Sequence, residues 1–239
     1  MKAAALIPCR AGSKGIPNKN FRELCGKPLI RWTIDAAVES DIFEHIIVSS
    51  DGGWSLVDSK TKQELNSIKK YNGILHIDND RPPELATDEA QLDSLLCYYA
   101  GDYPDIELWA LLQPTSPLRT AKDIQKAYKK ICAKKWDTLV SVTPDTMMCW
   151  QEGITTRGNL ALYHYTARPT RQQRIKRGFY RENGAIYFTK LPVLVHTGCR
   201  LGGDIAFYKM PKERSFEIDD EIDWAIIEMI MKNGIFLNG

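Results

Sequence analysis

An α/β fold on a mostly parallel sheet is what this chain predicts, and three observations carry the prediction. Short apolar, β-rich runs alternate with amphipathic helical stretches as far as Thr143, the rhythm of βαβ crossovers with helices on both faces of a sheet. Hydrophobic residues make up 44 % of the chain and charged residues 26 %, enough to bury a sizeable core and inconsistent with disorder. A length of 239 residues suits one large domain, or a main domain with a small appendage.

Taken in order, the first strand is expected over residues 3–7. Its apolar run superficially looks like a signal peptide, but Pro8 and Arg10 interrupt it too early. A helix follows over 29–40, a strand over 45–49, a helix over 54–71, a strand over 74–77 and a helix over 88–99. Strand 108–112, helix 121–133 and strand 138–143 complete the series. After Pro144 the rhythm fails. Residues 145–181 are rich in Met, aromatic and basic residues, with Gly153 and Gly158 as breakers and no clear helical period. They are expected to form an inserted subdomain, the core being 1–144 and 182–239. The core pattern resumes with strands at 184–188 and 205–208 and a final strand and helix within 215–232.

Charge and cysteines narrow the class. The 32 Lys and Arg nearly balance the 30 Asp and Glu, for a net charge of +2, so bulk electrostatics give no warrant for a nucleic-acid or membrane-surface protein. The six cysteines are scattered, with no short-spaced pair, which favours reduced thiols and a cytoplasmic protein. No uncharged apolar stretch approaches the ~20 residues a membrane helix needs.

Ligands of such sheets sit at the carboxyl ends of the strands, so the loops after strands are the places to search. The loop 8–20 follows the first strand. Gly12 and Gly15 let a ligand approach the backbone, Ser13 adds a hydroxyl, and Arg10, Lys14 and Lys19 supply cations. That composition suits a polyphosphate; an ordinary solvated basic loop is the plainer reading. The loop matches neither the Walker phosphate-binding pattern nor the dinucleotide G-x-G-x-x-G fingerprint. The loop 111–120 also leaves a strand. Gln113 offers a directional amide, two prolines fix the path and Thr120 can cap the next helix; a rigid turn explains it equally well.

Residues 157–181 hold Arg157, Arg168, Arg171, Arg174, Lys176, Arg177 and Arg181 and no acid. Solvated charge, RNA contact through the interleaved aromatics, and an anionic small molecule all fit that local positive field. Near the C-terminus, Glu217 and Asp219 stand two apart. On a strand both would face one side, where they could hold a hard cation such as magnesium. Asp220 and Asp223 are explained as the capping pair of the following helix.

Together these segments resemble the CMP-sialic acid synthetases, the cytidylyltransferases that activate N-acylneuraminate and related nonulosonic acids. The resemblance runs through IPCRAGSKGIPNKN at 7–20, IIVSSDGG at 46–53, RPPELATDEA at 81–90, LLQPTSPLRT at 111–120, RENGAIYF at 181–188 and FEIDDEIDW at 216–224. It implies a Rossmann-like nucleotidyltransferase sheet and a homodimer whose inserted arm helps close the partner's site. It also implies a reaction between CTP and an acidic nine-carbon sugar, with magnesium as cofactor and neither nucleic acid nor membrane as partner. By the resemblance, Arg10, Ser13, Lys14, Lys19, Asn20 and Arg81 bind the nucleotide, and Arg10, Lys14, Lys19 and Asp219 do the catalytic work. Gln113, Arg171 and Arg181 address the sugar, and Asp219 with Glu217 holds the metal. Glu217 stands where characterised sialic-acid enzymes carry Asp, so a carboxylate is kept on a longer arm.

The chemistry needs no covalent nucleophile. The sugar's anomeric hydroxyl attacks the α-phosphorus of CTP in line and pyrophosphate leaves. The sequence names no general base, and the four histidines are read as structural. Two other readings stand beside this one: a nucleotidyltransferase for Kdo or a sugar phosphate, and a catalytically silent nucleotide- or RNA-binding module.

Overall fold

The computed structural model describes residues 1–67, 73–87, 89–133, 135–155 and 158–235. Three expectations therefore touch residues outside it: the end of the helix expected over 54–71, the start of a helix at Asp88, and the cation Arg157.

The sheet forms as the alternation predicts, with seven strands among the described residues. These are β1 (Ala3–Cys9), β4 (His45–Ser50), β5 (Leu75–Asp78), β6 (Leu108–Leu111), β7 (Thr138–Pro144), β10 (Tyr180–Lys190) and β11 (Ile205–Lys209), in the order β11-β7-β10-β6-β1-β4-β5. β10 runs antiparallel to both neighbours, and the other pairings are parallel. Two short hairpins lie outside the sheet: β2 (Glu23–Leu24) with β3 (Lys27–Pro28), and β8 (Trp150–Thr155) with β9 (Gly158–Ala161).

Both faces of β1 are covered, and its period of two divides the core. Ala3, Ala5, Ile7 and Cys9 join the cluster that receives Ile30 and Ile34 of α1 (Leu29–Ser40) and Ile124, Ala127 and Ile131 of α4 (Ala121–Cys132). Ala4 and Leu6 join the opposite cluster, with Leu95, Leu96 and Tyr99 of α3 (Leu92–Asp102) and Leu194 of α6 (Leu191–Thr197). Each such Leu or Ile taken from water contributes about 1.5–3 kcal/mol. A third cluster seals the loop after β1: Ile16, Leu24 and Leu29 pack with Ile218, Trp224 and Ile227, the last two on α7 (Glu221–Lys232). The described residues contain no helix long and apolar enough to cross a membrane.

Caps set the helix starts. Thr120, the cap the sequence suggests, forms a reciprocal capping box with Asp123 on α4, and the expected pair Asp220 and Asp223 forms one on α7. Asp123 is overdetermined: its buried carboxylate also accepts from Tyr208 Oη at 2.8 Å and Arg214 Nη2 at 2.9 Å.

Several expected elements differ. The helix expected over 54–71 breaks into a 3₁₀ turn, Gly53–Leu56, and α2 (Ser59–Ser67), because the Asp58 carboxylate accepts from Thr61 N at 2.8 Å and starts a new helix. No strand forms at 215–220. That segment bonds to a loop instead of a ladder, Ile218 N donating to Thr115 O at 2.8 Å. The strand expected over 184–188 extends to both sides as β10, carried past a bulge between Glu182 and Tyr187. Gly184 sits there at φ +62°, where only glycine is comfortable. The aperiodic 145–181 segment holds, besides its hairpin, a seven-residue helix, α5 (Arg171–Arg177), closed by a Thr170/Gln173 capping box and Gly178.

Candidate active site

The sheet's topology places the site. β1 has β4 on one side and β6 on the other, and the chain leaves β1 towards β4 and β6 towards β7, in opposite directions along the sheet, so a crevice opens at their carboxyl ends. Antiparallel β10 brings its first residues to the same edge, Tyr180 opposite Pro144 and Tyr187 opposite Leu111. A cleft of about 370 Å³ lies there.

One wall is the loop after β1, which contributes Arg10, Ser13, Lys14, Gly15, Lys19 and Asn20 to the lining. The loop is pinned by backbone. Ala11 N donates to Asp51 Oδ1 at 2.8 Å, and Asn20 Nδ2 to Arg10 O at 3.0 Å. Arg10 Nη1 reaches across to Thr87 O at 3.3 Å. Gly15 has no alternative, because a Cβ there would stand 2.3 Å from the Asp219 carbonyl oxygen.

That contact joins the loop to the C-terminal acids. Lys19 Nζ donates to Ile218 O at 2.7 Å and lies 3.5 Å from the Asp219 carboxylate, whose side chain is 80 % exposed and lines the cleft. Arg22 Nη1 pairs with Glu221 at 2.6 Å and its guanidinium covers Trp224. The loop and the 217–224 segment therefore form one unit.

The floor is the loop after β6, with Gln113, Pro114 and Thr115. Behind it, Arg119 is buried and donates from Nη1 to Ala185 O at 2.7 Å and to Gln113 O at 3.2 Å, fixing Gln113 against β10. Burial lowers the Arg119 pKa to about 9, still above neutrality, so the guanidinium stays charged. Asn183 locks the bulge: its amide bridges Ser141 Oγ at 2.6 Å and Ser215 Oγ at 2.9 Å, and its carbonyl accepts from Ser116 Oγ at 3.2 Å. Gly184 thereby lies under both Glu217 and Gln113, whose oxygens would stand 2.2 Å and 2.9 Å from any Cβ placed on it.

The expected same-side pair of carboxylates is corrected here. Without a strand at 215–220, Asp219 faces the cleft while Glu217 turns in against Gly184. Burial, and then the charge of Asp219, push the Glu217 carboxyl above the usual range.

The opposite wall is residues 81–95. Arg81 is buried yet lines the cleft, with Leu85, Thr87, Gln91, Leu92 and Leu95 beyond it. Apart from Arg81, the sequence reading assigned none of these. The motif at 81–90 pointed to the region, but nothing local marks Gln91 or Leu95 as facing a ligand.

The cleft thus gathers Arg10, Ser13, Lys14, Lys19, Asn20, Arg81, Gln113 and Asp219. Arg171 and Arg181 are exposed and do not line it, and Glu217 sits behind its floor. Arg174 departs from a solvated basic run: it is buried, with its guanidinium 4.1 Å over the Phe179 ring. Of the histidines, His45 Nδ1 and His76 Nε2 bond each other at 3.0 Å away from the cleft, and His164 caps a 3₁₀ turn.

The model of a family described as "Cytidylyltransferase" matches residues 4–239. The chain is 34 % identical over 230 residues to an N-acylneuraminate cytidylyltransferase of Escherichia coli, covering 94 % of this chain and 51 % of that protein. It is 30 % identical to N-acylneuraminate cytidylyltransferase A of Danio rerio, covering 98 % and 52 %. The chain thus spans about half the length of these relatives. A CMP-N,N'-diacetyllegionaminic acid synthase of Legionella pneumophila is 31 % identical over 247 residues, covering 97 % of both chains. In fold, the chain resembles a CMP:2-keto-3-deoxy-manno-octonic acid synthetase complexed with CTP, at TM-score 0.64 and 16 % identity, covering 98 % of this chain and 100 % of that one. It likewise resembles a 4-diphosphocytidyl-2C-methyl-D-erythritol synthase from Anaerococcus prevotii, at TM-score 0.64 and 12 % identity, covering 97 % and 98 %.

Proposed function

The chain is a member of the cytidylyltransferase family, and from that premise we propose that it transfers CMP from CTP to the anomeric hydroxyl of a nonulosonic acid, releasing pyrophosphate. The observation that carries this reading is one cleft in which a cation-rich glycine loop, Gln113 on a backbone held by Arg119, and the acid Asp219 converge at the carboxyl edge of the sheet.

In this reading Arg10, Ser13, Lys14, Lys19 and Asn20 hold the triphosphate and cytidine, with Arg81 on the nucleotide side. Their cations are set in place before reaction, so charge gathering on the leaving pyrophosphate meets donors that need not reorganise. Gln113 addresses the sugar from the floor. Arg181 reads its carboxylate, a planar fork suiting two oxygens better than a lysine would.

Magnesium is the cofactor of this reading. Among the described residues no three His, Cys, Asp or Glu side chains stand together as a metal site. The protein offers the Asp219 carboxylate in the cleft, which suits an ion completing its shell with phosphate oxygens and water, while Glu217, turned in against Gly184, would support that ion from behind the floor. When bound, it supplies charge neutralisation at the triphosphate.

The protein acts as a homodimer in this reading, with 145–181 as an arm reaching the partner's cleft between core segments 1–144 and 182–239. Supporting it, Arg171 is exposed outside its own chain's cleft, and Met147, Trp150 and Leu162 of the same segment expose apolar surface. All six cysteines are free thiols, which suits the cytoplasm.

Pyrophosphate release across a panel of nucleoside triphosphates and acidic sugars tests the activity. Release with CTP and a nonulosonic acid is expected. Release with Kdo alone, or none with CTP and any nonulosonic acid, contradicts it.

A further inference from the structure

Arg81 is held from behind by a chain of polar groups that the proposed chemistry does not use. Its Nε donates to Ser49 Oγ at 3.0 Å, and Nη2 donates to the Ser49 carbonyl. Ser49 Oγ lies 2.8 Å from Tyr99 Oη, and Tyr99 Oη donates to Asp78 Oδ2. The ends of the chain fix its direction. An arginine can only donate and an ionised carboxylate can only accept. With one hydrogen on each hydroxyl, the sequence must run from Arg81 Nε–H to Ser49 Oγ–H to Tyr99 Oη–H to the Asp78 carboxylate.

The chain is anchored at both ends. Asp78 Oδ1 accepts from Asp80 N at 2.9 Å, which shapes the turn leading into Arg81, and Arg81 N donates to Ser50 O at 3.0 Å. Tyr99 lies on the face of α3 that presents Leu92 and Leu95 to the cleft, two turns and one turn earlier in the helix. Ser49 and Arg81 are almost wholly buried, where each bond left unmade is costly. Burial and the bond to Asp78 both raise the Tyr99 pKa, so the phenol remains a proton donor.

We infer that Tyr99, Ser49 and Asp78 are positioning residues that aim the Arg81 guanidinium at the nucleotide. The inference deepens the cytidylyltransferase reading and rests on it. Arg81 alone touches the ligand; the other three set the direction of its fork, and with it the affinity for CTP.

Calorimetric CTP binding tests this in wild type, Tyr99→Phe, Arg81→Ala and the double variant. Tyr99→Phe keeps the ring volume and is expected to weaken CTP binding about fivefold, the effect of one lost hydrogen bond. In the Arg81→Ala background the same change is expected to have no further effect on CTP affinity. Equal weakening in both backgrounds, or unchanged affinity with only a lower melting temperature, overturns the inference. Asp78→Asn is the second variant should Tyr99→Phe fold poorly, with the same expected dependence on Arg81. A wild type that binds no CTP at all defeats the cytidylyltransferase reading and this inference with it. A wild type that binds, with a Tyr99→Phe variant that binds equally well, defeats the positioning role alone.

Discussion

The loop 8–20 and the segment 145–181 both carry clustered cations, but they are held in different ways. The loop's bonds lead outward into the core and the C-terminal strap, residues 217–224: Ala11 to Asp51, Lys19 to the Ile218 carbonyl, Gly15 against the Asp219 carbonyl. Among the described residues, the bonds of 145–181 lead mostly back into itself: Thr170 with Gln173, Asp145 N to Phe179 O at 3.0 Å, Arg174 over Phe179. A side chain on pinned backbone has its direction decided within the chain. Arg171, exposed on a short self-capped helix, acquires a direction only from what it meets.

The largest expected effect falls on the pinned side. Asp219→Ala is expected to lower kcat about 100-fold, the scale of removing one group that stabilises transition-state charge. The melting temperature should hardly move, because the exposed Lys19 contact is worth about 1 kcal/mol or less. Steady-state turnover beside a thermal melt checks both, and normal turnover removes Asp219 from the site.

Gly15→Ala comes next. The new methyl must displace the Asp219 carbonyl, so unfolding in urea should show a loss of about 2 kcal/mol, together with weaker CTP binding. A variant as stable as wild type means that the loop and the strap are not one unit.

Arg181→Lys carries the contrast to a residue outside the cleft lining. The sugar KM is expected to rise about fivefold while the CTP KM stays within about twofold, since only the carboxylate fork is lost. Equal rises in both erase the division.

The smallest effect concerns Glu217, whose folded pKa is raised by burial and by Asp219. A raised carboxyl pKa means the ionised form is disfavoured in the folded state. Stability is therefore lost as pH rises from the ordinary carboxylate range through the raised folded value, and stays lost above it. Glu217→Gln is expected to melt a few degrees above wild type at neutral pH, the gap closing in acid below the ordinary carboxylate pKa. A variant that melts lower at neutral pH would show the charge to be favourably held.

These contrasts also explain what the sequence could reveal. Strands β1, β4, β6, β7 and β11 and helices α1 and α4 were legible because their apolar period and their caps are local. The Asp220/Asp223 capping pair was legible for the same reason, and it left Glu217 and Asp219 to be explained otherwise. The final strand expected ahead of the last helix, within 215–232, does not form because alternation says nothing of whether a ladder neighbour exists; here the segment's partner is a loop carbonyl. Helix α5 was signalled by T-x-x-Q and Gly178, which polar composition concealed. Most of the cleft's lining from 81–95, and the Ser49–Tyr99–Asp78 chain behind Arg81, depend on contacts across dozens of residues that no local pattern encodes.

A crystal structure of the chain with CTP tests the central claim most directly. The account predicts the triphosphate against Arg10, Ser13, Lys14 and Lys19, with Arg81 on the nucleotide side and Asp219 facing the phosphates. CTP bound elsewhere, with the loop 8–20 turned to solvent, would contradict it.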